Sequence, residues 1–391
     1  MKSYINDTSP QSSWATQDVP YVHAVVFVPV VVPLALPGVK EPFEPSEWRG
    51  ALKEMARVPK QVFTAAEVEI SKATVRQLNT SQSREFRMRN QIGYFRGLKP
   101  FWNVVIIVYA ARVRFKEFSL DRQRYSHEEA KRFHEQVSCE AFGRVVRRWL
   151  VATLLAKVGI LRFSDILVTR SGQQVWERYD DFRGLSSEHL EVAKKMKWPP
   201  IKNLGIRSVW KWLQKIPQFN DDLGVSVVGR AVAAFTHLLR RRDPTAVGEV
   251  LLWALLGLEA LYTKGTAELG SQLAEKTQLL LGEQHDFKKA LTRMYAYRSR
   301  LIHGDVPIPM HYCEYEGLSE YETFLDEVED QNYLAANVLV SSLQELVTRD
   351  EAELRFEWRV VEVEKSRDRG SAAPGDVKAG GRRRMKKRGP T

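Results

Sequence analysis

Hydrophobic positions change their period near the middle of the chain, and the change divides it. Residues 21–36 are almost continuously apolar and rich in valine, broken by His23, Pro29 and Pro33, and read as one or two buried strands. Val62, Thr64, Ala66, Val68 and Ile70 alternate with more polar neighbours, as a half-buried strand does. Residues 104–115 repeat that alternation, ending with Ala111, Val113 and Phe115 on one face and Arg112, Arg114 and Lys116 on the other. Residues 127–158 switch to helical spacing, with Phe133, Val137, Phe142, Val145, Val146, Trp149, Leu150 and Leu154 inward and Gly159 as the stop. Residues 163–176 read as a short hairpin turning at Ser171-Gly172. Together these predict an α+β domain over 15–200, closing near Trp198, Pro199 and Pro200.

Beyond it helical periods replace alternation. Residues 227–241 form one helix, and 247–262 are apolar nearly all round, which suits the centre of a bundle. A third helix, 267–281, turns Leu269, Leu273, Thr277 and Leu280 inward and stops at Gly282. A fourth, 286–303, carries Phe287, Leu291, Met294, Tyr295 and Ile302. The last, 320–348, opens on Ser319-x-x-Glu322 as a capping box and presents Phe324, Leu325, Val328, Leu334, Val338, Leu339, Leu343 and Leu346. Five such helices predict an all-α bundle over 205–350.

Composition refines this picture at three points. At 391 residues and 44% hydrophobic content the chain can bury a substantial core, so it reads as globular. Its two cysteines, Cys139 and Cys313, match no metal or disulfide spacing. The start, MKSYINDTSPQSS, lacks a secretory pattern, and no run reaches the length of a membrane helix, so a soluble cytoplasmic protein is expected. The net charge is +11, but 365–391 hold ten Lys or Arg against Asp368 and Asp376, so +8 belongs to the tail and about three charges to the body. The tail has no apolar period and is expected to be disordered. Its cluster of Arg382, Arg383, Arg384, Lys386, Lys387 and Arg388 can hold RNA phosphates without sequence preference, or serve only as a solvated extension.

The chemistry concentrates in YAYRSRLIHGD, where Arg298, Arg300 and His303 stand at a helix end before Gly304. Arg298 falls three beyond Tyr295 and four beyond Met294, so the period turns it toward the apolar stripe, where an unpaired guanidinium is costly. Glu259, beside the stripe of Leu251, Leu255, Leu258 and Tyr262, is a candidate partner, either orienting Arg298 or forming a structural ion pair. Five positions at about 100° each set Arg298 and His303 about 140° apart, so convergence needs an unwound last turn or a second subunit. An Arg and a His near a helix C-terminus can also serve only the helix, by bonding its free carbonyls. Glu268 reads as a first-turn charge.

Four blocks, GRAVAAFTHLL, LLWALLGLEALY, AELGSQLAEKTQLLLG and LTRMYAYRSRLIHGD, resemble the Apea-like branch of the HEPN families in order and spacing, with the Arg, four residues, His signature. Ser299 stands where many catalytic members carry Asn, Asp or His. The resemblance covers about 130 residues and says little of 1–200. It implies a helical bundle, homodimerisation through it, and metal-independent endoribonuclease action in antiphage defence or toxin-type systems, with no cofactor. Arg298 and His303 would be catalytic, and Arg300 and Ser299 would help bind phosphate. The chemistry is coherent: RNA supplies its own 2′-hydroxyl nucleophile, so a proton-exchanging imidazole and a guanidinium on the phosphorane suffice. Products would be a 2′,3′-cyclic phosphate and a 5′-hydroxyl. The alternative from another class is an inactive dimerising module that binds nucleotide or RNA, and a trigger or inhibitor of unknown identity fits either.

Other features carry less. REFRMRNQIGYFRGLK, 84–99, reads first as an exposed loop and secondly as a single-strand RNA surface. His127 and His134, seven apart on a helix, lack a third ligand, His237 reads as a core-edge histidine, and acidic residues 314–330 read as a solvated face.

Overall fold

The protein is seen in a computed structural model that describes residues 13–15, 21–32, 45–65, 67–90, 103–116, 119–121, 124–163, 166–169, 177–180, 182–240, 248–265, 268–283, 285–306 and 319–356. β1 (Ser13–Ala15) and β5 (Ser119–Asp121) make a small antiparallel pair. The main antiparallel sheet is built on β2 (Val22–Val32). One side of β2 pairs along its length with β4 (Asn103–Phe115), which pairs in turn with β3 (Val68–Gln77) at the edge. The other side meets β6 (Arg162–Phe163) and β7 (Ile166–Thr169), and β8 (Glu177–Asp180) closes the second edge. Pro29 falls between the two stretches of β2 that pair with β7 and β6, an interruption where a residue without a donor is tolerated.

Both faces of the sheet are covered, which explains why residues 22–32 are apolar without alternation. Val22, Ala24, Val26 and Val28 stand opposite Val113, Ala111, Tyr109 and Ile107, all buried. This face packs on α3 (His127–Ala156), whose capping box is Ser126 with Glu129. On the other face Phe86 of α2 (Thr80–Asn90) stacks on Phe27 at 4.6 Å, in a core with Leu78, Ile106, Val108 and Leu167. Residues 84–90 are therefore helix rather than loop, and Phe86 is core rather than a platform for a base.

Three more expectations shift. Residues 60–63 form a 3-10 turn, and the third strand begins only at Val68. Phe133 is 50% exposed, because the inward stripe of α3 runs through Ala130, His134, Ser138 and Ala141 instead. The polar stripe has a reason: the Ser138 hydroxyl accepts the Phe115 N–H at 3.1 Å, joining helix to strand end, and lies 3.5 Å from His134 Nε2. The shorter helices α1 (Pro45–Ala56), α4 (Ser187–Met196) and α5 (Ile206–Leu213) were not legible from their periods. The Ser171-Gly172 turn and 33–36 lie outside the described residues.

The helical half follows the sequence closely: α6 (Val227–Leu238), α7 (Glu249–Tyr262), α8 (Leu269–Leu281), α9 (His285–His303) and α10 (Ser319–Arg349). Gly282, at φ +94, ends α8. At Gly257 a side chain would meet Leu339 at 2.8 Å and Ala234 at 3.1 Å, so a glycine there lets α7 lie close against α10 and α6. α10 also reaches α3, α4 and α5. Its Gln344, fully buried, accepts the Lys202 N–H at 2.7 Å and donates to the carbonyls of Leu155 and Lys202, each at 2.8 Å. By contact, Met1–Leu354 make one compact unit, and Arg355–Thr391 a second, of which only Arg355 and Phe356 are described. Among the described residues no helix is long and apolar enough to cross a membrane.

Candidate functional site

α9 buries Leu291, Met294 and Tyr297, with Phe287 and Leu301 partly covered, while Ile302 is 49% exposed. Seven residues advance a helix by about 700°, so Leu301 returns to within about 20° of Met294, whereas Ile302 lies about 80° away. Tyr295, expected inward, is half-buried at the edge, its ring 3.2 Å from where a side chain on Gly270 would begin.

By the same geometry Arg298 sits about 40° from Met294 and His303 on the opposite face. Arg298 is 25% exposed in its side chain and makes an ion pair with Glu259 of α7, Nη2 to Oε1 3.4 Å, and its guanidinium lies 5.6 Å from the Tyr295 ring centre. Glu259 is 18% exposed, and its Oε1 is buried without a hydrogen bond, so the guanidinium is an electrostatic neighbour rather than a hydrogen-bonded one. Burial first, then the Glu259 carboxylate, raises the Tyr295 hydroxyl above its ordinary range, and Arg298 opposes the shift. Tyr295 therefore stays protonated at neutral pH.

α9 is regular through His303 and ends in a Schellman motif: Gly304, at φ +80, donates to Leu301 at 3.4 Å, and the Asp305 N–H to Arg300 at 2.8 Å. The last turn is thus not unwound before the histidine, and within one chain Arg298 and His303 point to different faces. Ser299 is half-buried, and Arg300 and His303 are exposed. Glu268 is the exposed N-cap of α8, held at φ +53 rather than inside its first turn. Residues 382–388 lie outside the described residues. Among the described residues, no three His, Cys, Asp or Glu gather as a metal cluster. His127 is exposed, His134 buried, and His237 stacks on Trp253 at 3.9 Å.

A second constellation escaped the sequence reading. Arg148, 4% exposed, forks onto Asp222, Nε to Oδ1 3.1 Å and Nη2 to Oδ2 3.2 Å, and Arg147 approaches the same carboxylate at 3.7 Å. These side chains line a cavity between α3, the 216–224 loop and α6. The signal in the sequence was a pair of arginines between Val146 and Trp149 in the mostly apolar second half of α3, but the acidic partner of Arg148 stands 74 residues away. Compared with protein-family models, curated proteins and solved structures, the chain matches none of them.

Proposed function

We propose that this protein is a HEPN-type, metal-independent endoribonuclease that works as a homodimer. The observation carrying the proposal is the placement of Arg298: a guanidinium drawn to the bundle by Glu259, yet still partly exposed, five residues before an exposed His303. Glu259 holds the cation, and Arg298 offers its planar donors to a phosphate. His303 exchanges protons with the 2′-hydroxyl or the leaving 5′-oxygen, while Arg300 and Ser299 grip the backbone. The 2′-oxygen bonds to phosphorus as the 5′-oxygen leaves with a proton, giving a 2′,3′-cyclic phosphate and a 5′-hydroxyl. With a regular α9, complementary Arg and His sets come from two subunits. The setting proposed is antiphage defence or a toxin-type system in the cytoplasm, under a trigger or inhibitor of unknown identity.

The same regular helix favours a second reading, an inactive dimerising module that binds nucleotide or RNA, with Glu259–Arg298 as a structural pair. Labelled single-stranded RNA in excess EDTA separates the two. Cleavage to cyclic phosphate ends, lost in Arg298→Ala and in His303→Ala, supports the nuclease. Wild-type protein that binds RNA but stays inert, even with a phage-infected extract added, sinks it and leaves the binding module.

A further inference from the structure

The adjoining ends of α1 and α5 carry a run of cations that the proposed nuclease leaves unused. Lys53 and Arg57 stand four residues apart at the close of α1, and Arg207 and Lys211 four apart along α5, so each pair shares a face. The two pairs meet: Arg207 Nη2 donates to the Arg57 carbonyl at 3.3 Å, and Glu54 accepts the N–H of Ile206 at the start of α5. Lys60, three residues beyond Arg57, extends the run into the following 3-10 turn. All five residues are exposed, and none makes an ion pair with a described residue.

The carboxylates beside the run do not cancel it. Glu54 is paired with Lys157 at 2.9 Å and Asp350 with Lys215, and Glu47 lies about 120° around α1 from Lys53. Glu351 is exposed past the other side of α5, where its carbonyl accepts Trp212 Nε1, and five cations against that one carboxylate still leave +4. What the surface lacks narrows its partner. None of the large apolar side chains exposed among the described residues belongs to α1 or α5. A membrane-bound helix needs apolar residues to insert and a protein interface needs an apolar centre, whereas a nucleic acid can be held through its phosphates alone.

We propose that this surface grips the phosphate backbone of an RNA strand without reading its sequence. The choice of RNA over DNA rests on the nuclease reading, whereas the ionic grip does not. Each cation that meets a phosphate releases condensed counterions, so affinity falls with added salt in proportion to the number of contacts.

Fluorescence anisotropy of a labelled oligouridylate, titrated with the full chain at several salt concentrations, tests this. His303→Ala is carried in every protein so that the RNA stays whole, and the result then holds whether or not the wild type cleaves. Replacing Lys53, Arg57, Arg207 and Lys211 together by Gln should lower the slope of log affinity against log salt by about 3, from roughly 0.7 for each contact to a single strand. A control replaces Arg76, Arg132, Lys195 and Lys289 by Gln, exposed cations scattered over β3, α3, α4 and α9, and should leave the slope within about 1 of the parent. The basic tail is present throughout and cancels from the comparison. All eight positions are exposed, so both variants fold, which matching far-ultraviolet ellipticity checks. An unchanged slope in the first variant, an equal fall in the control, or no RNA binding by the parent overturns the proposal. So do phosphatidylserine vesicles bound through the same four residues more tightly than the RNA.

Discussion

The Glu259–Arg298 pair can be dissected with near-isosteric variants, Glu259→Gln and Arg298→Met, and their combination. At 3.4 Å and an effective dielectric near 20, the gross attraction is about 5 kcal/mol. Most of this is returned, because side chains 25% and 18% exposed have given up much of their hydration and the contact lacks hydrogen-bond geometry. The coupling should therefore exceed that of a surface pair and fall short of a fully buried one, about 1–2 kcal/mol. The single losses should be unequal. Arg298→Met strands a carboxylate whose Oε1 is buried, whereas Glu259→Gln leaves a cation that still reaches solvent and the Tyr295 ring. Urea unfolding of the four proteins, followed by helical ellipticity, gives the coupling as a double-mutant cycle. A value below about 0.3 kcal/mol would refute the claim that Glu259 positions Arg298. If the nuclease reading holds, Glu259→Gln should also lower kcat for RNA with KM little changed, since a misaimed guanidinium weakens the transition state more than the bound substrate.

Two further outcomes are expected. Gln344→Ala orphans the Lys202 N–H and the Leu155 and Lys202 carbonyls and opens a void, so it should cost about 3–5 kcal/mol, and a urea midpoint within error of wild type would contradict it. His134 has its pKa lowered from 6.5 by burial first, with the nearby Arg114 charge adding, so the unfolded chain takes up its proton before the folded one. Stability should thus be constant above about pH 6.5 and fall as pH drops below it. His134→Phe should flatten that slope between pH 7 and 5, and an unchanged slope would contradict the assignment.

How much of this was legible in the sequence depended on the length of each pattern. α7 to α10 and β4 show their buried faces over 13 to 31 residues, and their bounds were read within a few positions, because a long stripe averages out single exceptions. Four of the five helices of 8 to 12 residues, α1, α2, α4 and α5, offered two or three turns and did not stand out, whereas α6 did. Phe133 and Ile302 were apolar and near the stripe by spacing, yet exposed, since hydrophobicity alone does not say where a neighbouring element ends. Arg298 was noticed because a charge on an apolar face conflicts with its own surroundings, and Glu259 could be named for the same reason.

The sequence by itself determined the change from sheet to bundle, the gathering of Arg298, Arg300 and His303 at one helix end, and the stop at Gly304. Only the tertiary structure decided that α9 closes in a Schellman motif with no unwound last turn, that Phe86 is core, and that Arg148 meets Asp222 across 74 positions. The reason is physical: local periods record which face of an element is dry, whereas meetings between distant residues depend on how elements pack, and no single segment encodes that.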